Sequence, residues 1–305
     1  MTDYKLGDNN TTGVDTIQRR VPIFSVDSGL ILDRELKIAD TQYQQTLEPR
    51  LYYVKIPYRD QTAIPNFSTG QLDFSFAQLF TENQFIGGDR INDADQLTTA
   101  VTSRLIDDAS GAEVVRGALG QRYYFRSQTV TLDPSLPLHA NRSDILAGFT
   151  GQVTKAWSVD TLYQYSPSQK RTEQENIALR WRPEPGKTLN LGYSVRRDSP
   201  DPTQNIEAVD ISVQWPLTPN WYTLLRYNYS LADRRMLEGL AGFEYNKGCW
   251  TVRLVAHRFV TAEQQSTTAF FVQLELNGLS KIGINPLETL RQSIPGYTKS
   301  NEVRQ

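Results

Sequence analysis

The sequence is short of the features that announce the commonest functions. Its 305 residues include one cysteine, two histidines and two methionines. A single thiol, Cys249, excludes an internal disulfide and a cysteine-rich metal site. His139 and His257 lie far apart, with no His-x-x-x-His or His-Glu spacing, so no zinc motif is present. Phosphate loops of the Gly-x-x-x-x-Gly-Lys type and Gly-x-Ser-x-Gly elbows are absent. No apolar run approaches the roughly 18–20 residues a spanning helix needs. Together with a mean hydropathy of −0.48, this excludes a bundle of membrane helices. A formal net charge of −2 without an acidic or basic tail gives no electrostatic case for nucleic acid. No metal or organic cofactor is expected. The opening residues, Met1 to Asp8, lack the apolar core of a signal peptide.

What is present is alternation with a period of two, which sends successive side chains to opposite faces of a strand. Leu189, Leu191, Tyr193 and Val195 interleave with Asn190, Gly192, Ser194 and Arg196. Val209 to Leu217, Trp221 to Tyr229, Trp250 to His257 and Phe270 to Asn277 read the same way. So do Ile177-Leu179-Trp181 and the run from Trp157 to Tyr165. With 21–32, 41–53, 96–106, 114–127, 144–154 and 237–246, this predicts about thirteen antiparallel strands and no amphipathic helix. Most run about ten residues, the length of a tilted membrane-spanning strand. From residue 107 onward short connections tend to alternate with long ones, as in barrels with tight turns on one rim and loops on the other. Trp157, Trp181, Trp215, Trp221 and Trp250 fall near strand ends, where a membrane–water interface favours them. The expected fold is therefore an all-β, antiparallel up-and-down transmembrane β-barrel; a soluble sandwich is the alternative. Residues 54–95 fit least well. A strand through Leu72, Phe74 and Phe76 would break the short–long parity, so one long outward loop is preferred there.

No nucleophile–base set can be recognised, so the chain reads as a non-enzyme. Acidic pairs such as Asp107-Asp108 and Asp198 with Asp201 sit in connections, where they are ordinary. The polar strand face carries Arg122, Arg126, Arg180, Arg182, Arg196, Arg226 and Arg253 against Asp160, Asp210, Glu244 and Glu275. These charges either meet an anionic ligand or pair among themselves in a watery interior. Cys249 is either an inert turn thiol or one half of a disulfide whose partner lies outside this chain.

A series of strings then narrows the reading. Leu47-Glu48-Pro49-Arg50-Leu51-Tyr52-Tyr53-Val54 is followed by Ile56-Pro57-Tyr58-Arg59-Asp60-Gln61, Gly87-Gly88-Asp89-Arg90-Ile91 and Ala94-Asp95-Gln96-Leu97-Thr98. Gly120-Gln121-Arg122-Tyr123-Tyr124-Phe125, Leu240-Ala241-Gly242-Phe243-Glu244-Tyr245-Asn246 and Gln273-Leu274-Glu275-Leu276-Asn277-Gly278-Leu279-Ser280 come after it. In order and spacing, over nearly the whole chain, this resembles the C-terminal barrel region of the lipopolysaccharide-assembly protein LptD family. The resemblance implies that residues 1–305 are the C-terminal part of a larger barrel, lacking the first strands and an N-terminal periplasmic jellyroll. That would also account for the missing signal peptide. It implies an outer-membrane role in inserting lipopolysaccharide into the outer leaflet, with an LptE-like lipoprotein plug and an LptA-like periplasmic bridge as partners. A general porin or ligand-gated transporter, and an outer-membrane hydrolase, are the alternatives. A lateral gate would involve the last strand, near 268–277, with Phe270, Val272, Leu274 and Leu276. Arg180, Arg196, Arg226 and Arg253 would face the lipid's phosphates and sugars. The family has adjacent cysteines at the turn that Cys249 matches, bridged to the N-terminal domain; only one is present here.

Overall fold

The computed structural model describes residues 2–5, 16–72, 74–132, 140–197, 205–261 and 265–303. His139, Asp198 and Asp201 lie outside them. Contacts divide the chain into two units, Met1–Gly148 with Gln164–Arg171, and Phe149–Tyr163 with Thr172–Gln305.

In the first unit a small hairpin, β1 (Thr2–Lys5) with β2 (Thr16–Arg19), precedes β3 (Phe24–Gly29), β4 (Leu32–Ile38) and β5 (Thr41–Ile56). Both β3 and β4 pair with β5, and in the same register: Gly29 faces Arg50 and Leu32 faces Leu47. They are one edge strand interrupted at Leu30 and Ile31. The interruption sits opposite Pro49, whose nitrogen has no hydrogen to give to the ladder. Only Pro49's carbonyl is used there, accepting from the Leu30 amide at 3.1 Å. The strand expected over 21–32 thus runs on to Ile38.

Beyond β5 the chain forms β6 (Gly70–Gln71), α1 (Phe76–Leu79) and β7 (Phe85–Ile86) before β8 (Ala94–Asp107) and β9 (Glu113–Tyr124). The segment expected to loop outward instead lies against one face of β5, β8 and β9. Leu79 is fully buried. Its carbonyl accepts from the Thr98 hydroxyl at 2.7 Å and from the Arg122 guanidinium at 3.0 Å. Phe80 packs on Tyr52 with ring centroids 6.1 Å apart, and the Arg50 guanidinium stacks on its ring. The loop is tied down by carboxylates. Asp89 accepts from the amides of Phe67 and Ser68 at 2.9 and 2.8 Å, and Asp93 from those of Thr129 and Val130 at 2.9 and 2.8 Å. The Ser68 amide foremost holds the Asp89 carboxyl below its ordinary range. Arg19 on β2 reaches the same corner, donating to the Asp89 carbonyl at 2.8 Å and to Gln61 at 3.0 Å. Gly87 is required beside it: φ is +85°, and a Cβ would stand 2.6 Å from the Ser68 carbonyl oxygen.

Gly120 on β9 lets α1 approach this face. A Cβ there would fall 2.7 Å from Leu79 Cδ1 and 3.3 Å from Ala100 Cβ. Gly120→Val is expected to displace α1 at a cost of about 1–3 kcal/mol. It should speed hydrogen exchange at Leu79 and Phe80 while β8 and β9 stay protected. Unchanged exchange at both positions would show that the loop is held without that close fit.

β10 (Ile145–Gln152) and β11 (Trp157–Ser166) follow. The second unit continues with β12 (Arg171–Glu184), β13 (Lys187–Arg196), β14 (Ile206–Pro216), β15 (Trp221–Ser230), β16 (Arg235–Asn246), β17 (Trp250–Val260), β18 (Ser266–Leu276) and β19 (Ser280–Gly283). From β12 each strand pairs antiparallel with the next. Register puts Asn190, Ser212 and Arg226 on one face, with Leu224, Leu240, Glu244, Arg253, Val255 and Gln273. The opposite face exposes Leu191, Ile211, Leu225, Phe243, Leu254 and Val272. So continuous an apolar surface suits lipid rather than water. At the short-turn rim the tryptophans meet in two chains of rings. Trp157 contacts Trp181 at 5.7 Å and Trp181 contacts Trp215 at 5.3 Å. Trp221 contacts Tyr245 at 4.8 Å, and Tyr245 contacts Trp250 at 5.2 Å.

The inward face of this unit is covered by residues the period-two reading left unassigned. After β19 the chain turns into α2 (Leu287–Ser293) and then runs back to Val303. Leu287, Leu290, Ile294 and Tyr297 form a core with Leu224, Leu240 and Val255, against which Phe271 packs.

The expectation of a transmembrane β-barrel is corrected here. Strand pairing follows an open path from β19 at one end to β3 at the other, and no sheet closes on itself among the described residues. Closure would require a partner for each end strand, and these residues do not pair their two ends with each other.

Candidate functional site

The candidate site is the polar face of the second unit with the strand edge beside it. Its centre is Arg253, fully buried. The guanidinium donates to Glu244 Oε1 at 3.1 Å, to Gln273 Oε1 at 2.9 Å and to the Glu275 carboxylate. Glu244 is also fully buried and accepts from the Tyr297 hydroxyl at 2.8 Å, the Ser300 amide at 3.1 Å and the Ser300 hydroxyl at 2.6 Å. Burial of Tyr297 next to the Glu244 carboxylate drives its phenol well above the ordinary range, so it stays a neutral donor. Further out, Asn190 donates to the Pro295 carbonyl at 3.0 Å, and Gln214 exchanges two hydrogen bonds with the Thr298 backbone at 2.6 and 2.9 Å. The polar strand face is thus read by the backbone of residues 295–300.

The four arginines singled out from sequence are placed differently from one another. Arg226 pairs with Asp210 at 2.7 Å and with Glu238 at 2.9 Å. Arg180 pairs with Asp160 at 2.9 Å and is partly open to solvent. Arg196 lies at the end of β13 away from the Trp rim and is exposed. Arg253 is enclosed by carboxylates and by the segment that covers it. His257 Nε2 lies 2.9 Å from the Glu238 carboxylate, on the same face.

Phe270, Val272, Leu274 and Leu276 share the apolar face of β18, with Phe270 70% and Val272 58% exposed. This strand is not the last. β19 pairs with it over Gln273–Leu276 only, leaving the edge from Ser266 to Phe271 without a neighbour in the described ladder. Four pairs, with the Ile284 amide donating to the Val272 carbonyl at 3.0 Å, cap one end of the edge and leave Ser266 to Phe271 open.

Cys249 is exposed and free, in the turn between β16 and β17. Gly248, at φ +80°, shapes that turn. Its backbone is clamped to the end of β18, because the Asn277 amide donates to the Cys249 carbonyl at 2.9 Å and the Asn277 side chain to the Gly248 carbonyl. The exposed thiol therefore sits on a fixed backbone support. Among the described residues no group of acidic, histidine or cysteine side chains could hold a metal ion.

Sequence reasoning missed residues 284–303. A signal was available: Leu287, Leu290 and Ile294 recur at helical spacing, bracketed by Pro286 and Pro295-Gly296.

Comparison with known proteins agrees with the motif series. The family described as LptD, LPS transport system D, matches residues 1–221. The LPS-assembly protein LptD of Thiobacillus denitrificans is 52% identical over 289 residues, covering 95% of this chain and 39% of that protein. Those of Azoarcus sp. and Aromatoleum aromaticum are 50% and 48% identical, over 94% and 99% of this chain and 35% and 38% of theirs. The chain therefore spans less than half the length of these curated relatives. Among solved structures, the FpvAI–pyocin S2 complex aligns over 83% of this chain and 43% of that one, at 12% identity and a TM-score of 0.28, too low to bear on the fold. Identity at this level along almost the whole sequence leaves one assignment: the chain belongs to the LptD family.

Proposed function

We propose that this chain works in lipopolysaccharide assembly at the outer membrane, as a transport component and not as an enzyme. The observation that carries the reading is the 52% identity to an LPS-assembly protein over 95% of the chain. The two-faced sheet supports it: an apolar face for lipid, a polar face for sugars and phosphates. Outer-membrane location follows from the family. In this reading acyl chains leave beside β18, past Phe270, Val272, Leu274 and Leu276, because its Ser266–Phe271 edge can part without breaking a ladder. Arg180, Arg196 and Arg226 meet phosphate or sugar groups, and Arg253 holds the structure behind them. An LptE-like lipoprotein and an LptA-like bridge are the partners the resemblance implies.

The test is complementation. Cells depleted of their own protein and supplied with the full-length gene should label with antibody to lipopolysaccharide at the surface. Supplied with the gene lacking residues 1–305, they should not. Normal surface labelling without this region would overturn the reading.

Cys249 is proposed to form a disulfide with a cysteine outside this chain. Full-length protein should migrate differently on non-reducing and reducing gels, and Cys249→Ser should remove that difference or simplify its pattern. A pattern unchanged by Cys249→Ser would show the thiol to be free.

A further inference from the structure

Residues 284–303 reach every strand from β13 to β18. Asn285 accepts from Gln273 on β18 at 3.1 Å, the Pro295 carbonyl accepts from Asn190 on β13, and the Thr298 backbone meets Gln214 on β14. Tyr297 and Ser300 meet Glu244 on β16, and the core of α2 takes in Leu224 on β15 and Val255 on β17. All six strand side chains are buried. The path runs out to β13 and back again, for Asn301 donates to Asn277, in the turn after β18, at 3.0 Å.

Ladder hydrogen bonds alone would leave this sheet pliable. They join a strand only to its neighbours, and the twist between adjacent strands ranges from roughly −10 to −35° among sheets. A segment attached to six consecutive strands on one face removes that freedom. A change of curvature alters the distance from Asn190 to Gln273, and the segment can follow only by giving up buried hydrogen bonds. Gly283, just before the segment, and Gly296 within it, at φ +99° and +87°, are the positions where it would be expected to hinge. Both are seated on the sheet instead. A Cβ on Gly283 would strike the Val272 carbonyl, and one on Gly296 would meet the Arg182 guanidinium.

We infer that residues 284–303 are a fixed brace. They hold β13 to β18 at one curvature, so that parting beside β18 moves the strand facing its open edge and leaves β18 in place. The inference rests on the proposed exit of lipid beside β18 and says which side of that exit moves. Phe271 packs on the α2 core and Gln273 is bonded to Asn285, so the inward side of β18 is held where its capped and open stretches meet. Its outward side, with Phe270 and Val272, stays exposed. A brace attached there steadies the open edge without covering it.

The experiment uses the full-length protein. Leu191→p-acetylphenylalanine on β13 and Val272→p-acetylphenylalanine on β18, both exposed positions, take nitroxide labels through their ketones and leave thiols untouched. Double electron–electron resonance should give one narrow distance that added lipopolysaccharide leaves unshifted. Leu290→Ala, which frees α2, should broaden it. A shift on adding lipopolysaccharide would overturn the proposal. So would an equally narrow distance in Leu290→Ala, by showing that the ladders alone set the curvature. In cells, Tyr297→p-azidophenylalanine, photolinked to the strands it packs on, should deliver lipopolysaccharide as well after irradiation as before. Loss of delivery on irradiation would also overturn the proposal, because the segment would then have to lift. Linking Phe270→p-azidophenylalanine to the strand facing β18 should abolish delivery. Unimpaired delivery there would instead strike the proposed exit itself, whereas the spin-label distances judge the brace alone.

Discussion

Arg253→Ala is expected to be the most damaging single substitution in the sheet, at about 3–5 kcal/mol. The value comes from what remains, not from the worth of the ion pair. Without the guanidinium, Glu244 would stay fully buried with only the Tyr297 and Ser300 donors, while Glu275 would keep Lys281 at 3.5 Å. A desolvated Glu244 carboxylate without a counter-charge is the penalty. An intact pair in the same place has little net value against an apolar replacement of equal volume. The triple variant Arg253→Met, Glu244→Gln, Glu275→Gln should therefore recover most of the loss. The measurement is the urea midpoint of the folded protein followed by tryptophan fluorescence, at constant slope. If the triple variant is as unstable as Arg253→Ala, shape rather than charge sets the cost.

Leu290→Ala is the second large effect, at about 2–5 kcal/mol, as for other fully buried leucines cut to alanine. Its consequence should be local. Leu290 anchors α2 in the core with Leu224, Leu240, Val255, Leu287, Ile294 and Tyr297, while the strands beneath keep their ladders. Residues 284–303 should become open to protease before β13 to β18 lose protection. Leu254→Ala, on the exposed apolar face, should leave the segment resistant in detergent. Simultaneous loss of the segment and the strands in Leu290→Ala would mean that the two do not unfold separately.

The long strands were legible in the sequence because alternation survives wherever one face is apolar and the other polar. Val209 to Leu217 and Trp250 to His257 read correctly for that reason. β4 was not, because Asp33, Arg34, Glu35 and Lys37 dilute its pattern on an exposed edge, where little burial enforces one. Residues 57–93, and 284–303 apart from the helical spacing of Leu287, Leu290 and Ile294, were illegible to a periodic reading for a different reason. Their positions are set by a few specific contacts, such as Asp89 with the Ser68 amide, Leu79 against Gly120, and Tyr297 with Glu244. Such contacts join distant residues and leave no period. Arg253 shows the result: as a residue on a polar strand face it reads as a solvated cation, and it is enclosed only because a segment about forty residues downstream returns to cover it. Closure failed as an expectation because alternation describes each strand and says nothing about what pairs with the two ends.

The hydrogen bond from Asn190 to the Pro295 carbonyl spans 105 residues of sequence. Contacts of that kind demand that a long stretch of chain be gathered before any of their energy is returned. The hairpins β13 to β18 can form one after another from neighbouring sequence, but the cover over their inward face cannot settle until all of them are in register. Its docking therefore acts as a check on completion: a sheet with one strand slipped by a single residue would present Leu225 or Phe243 where Leu224 and Glu244 belong, and the segment would find nothing to bind.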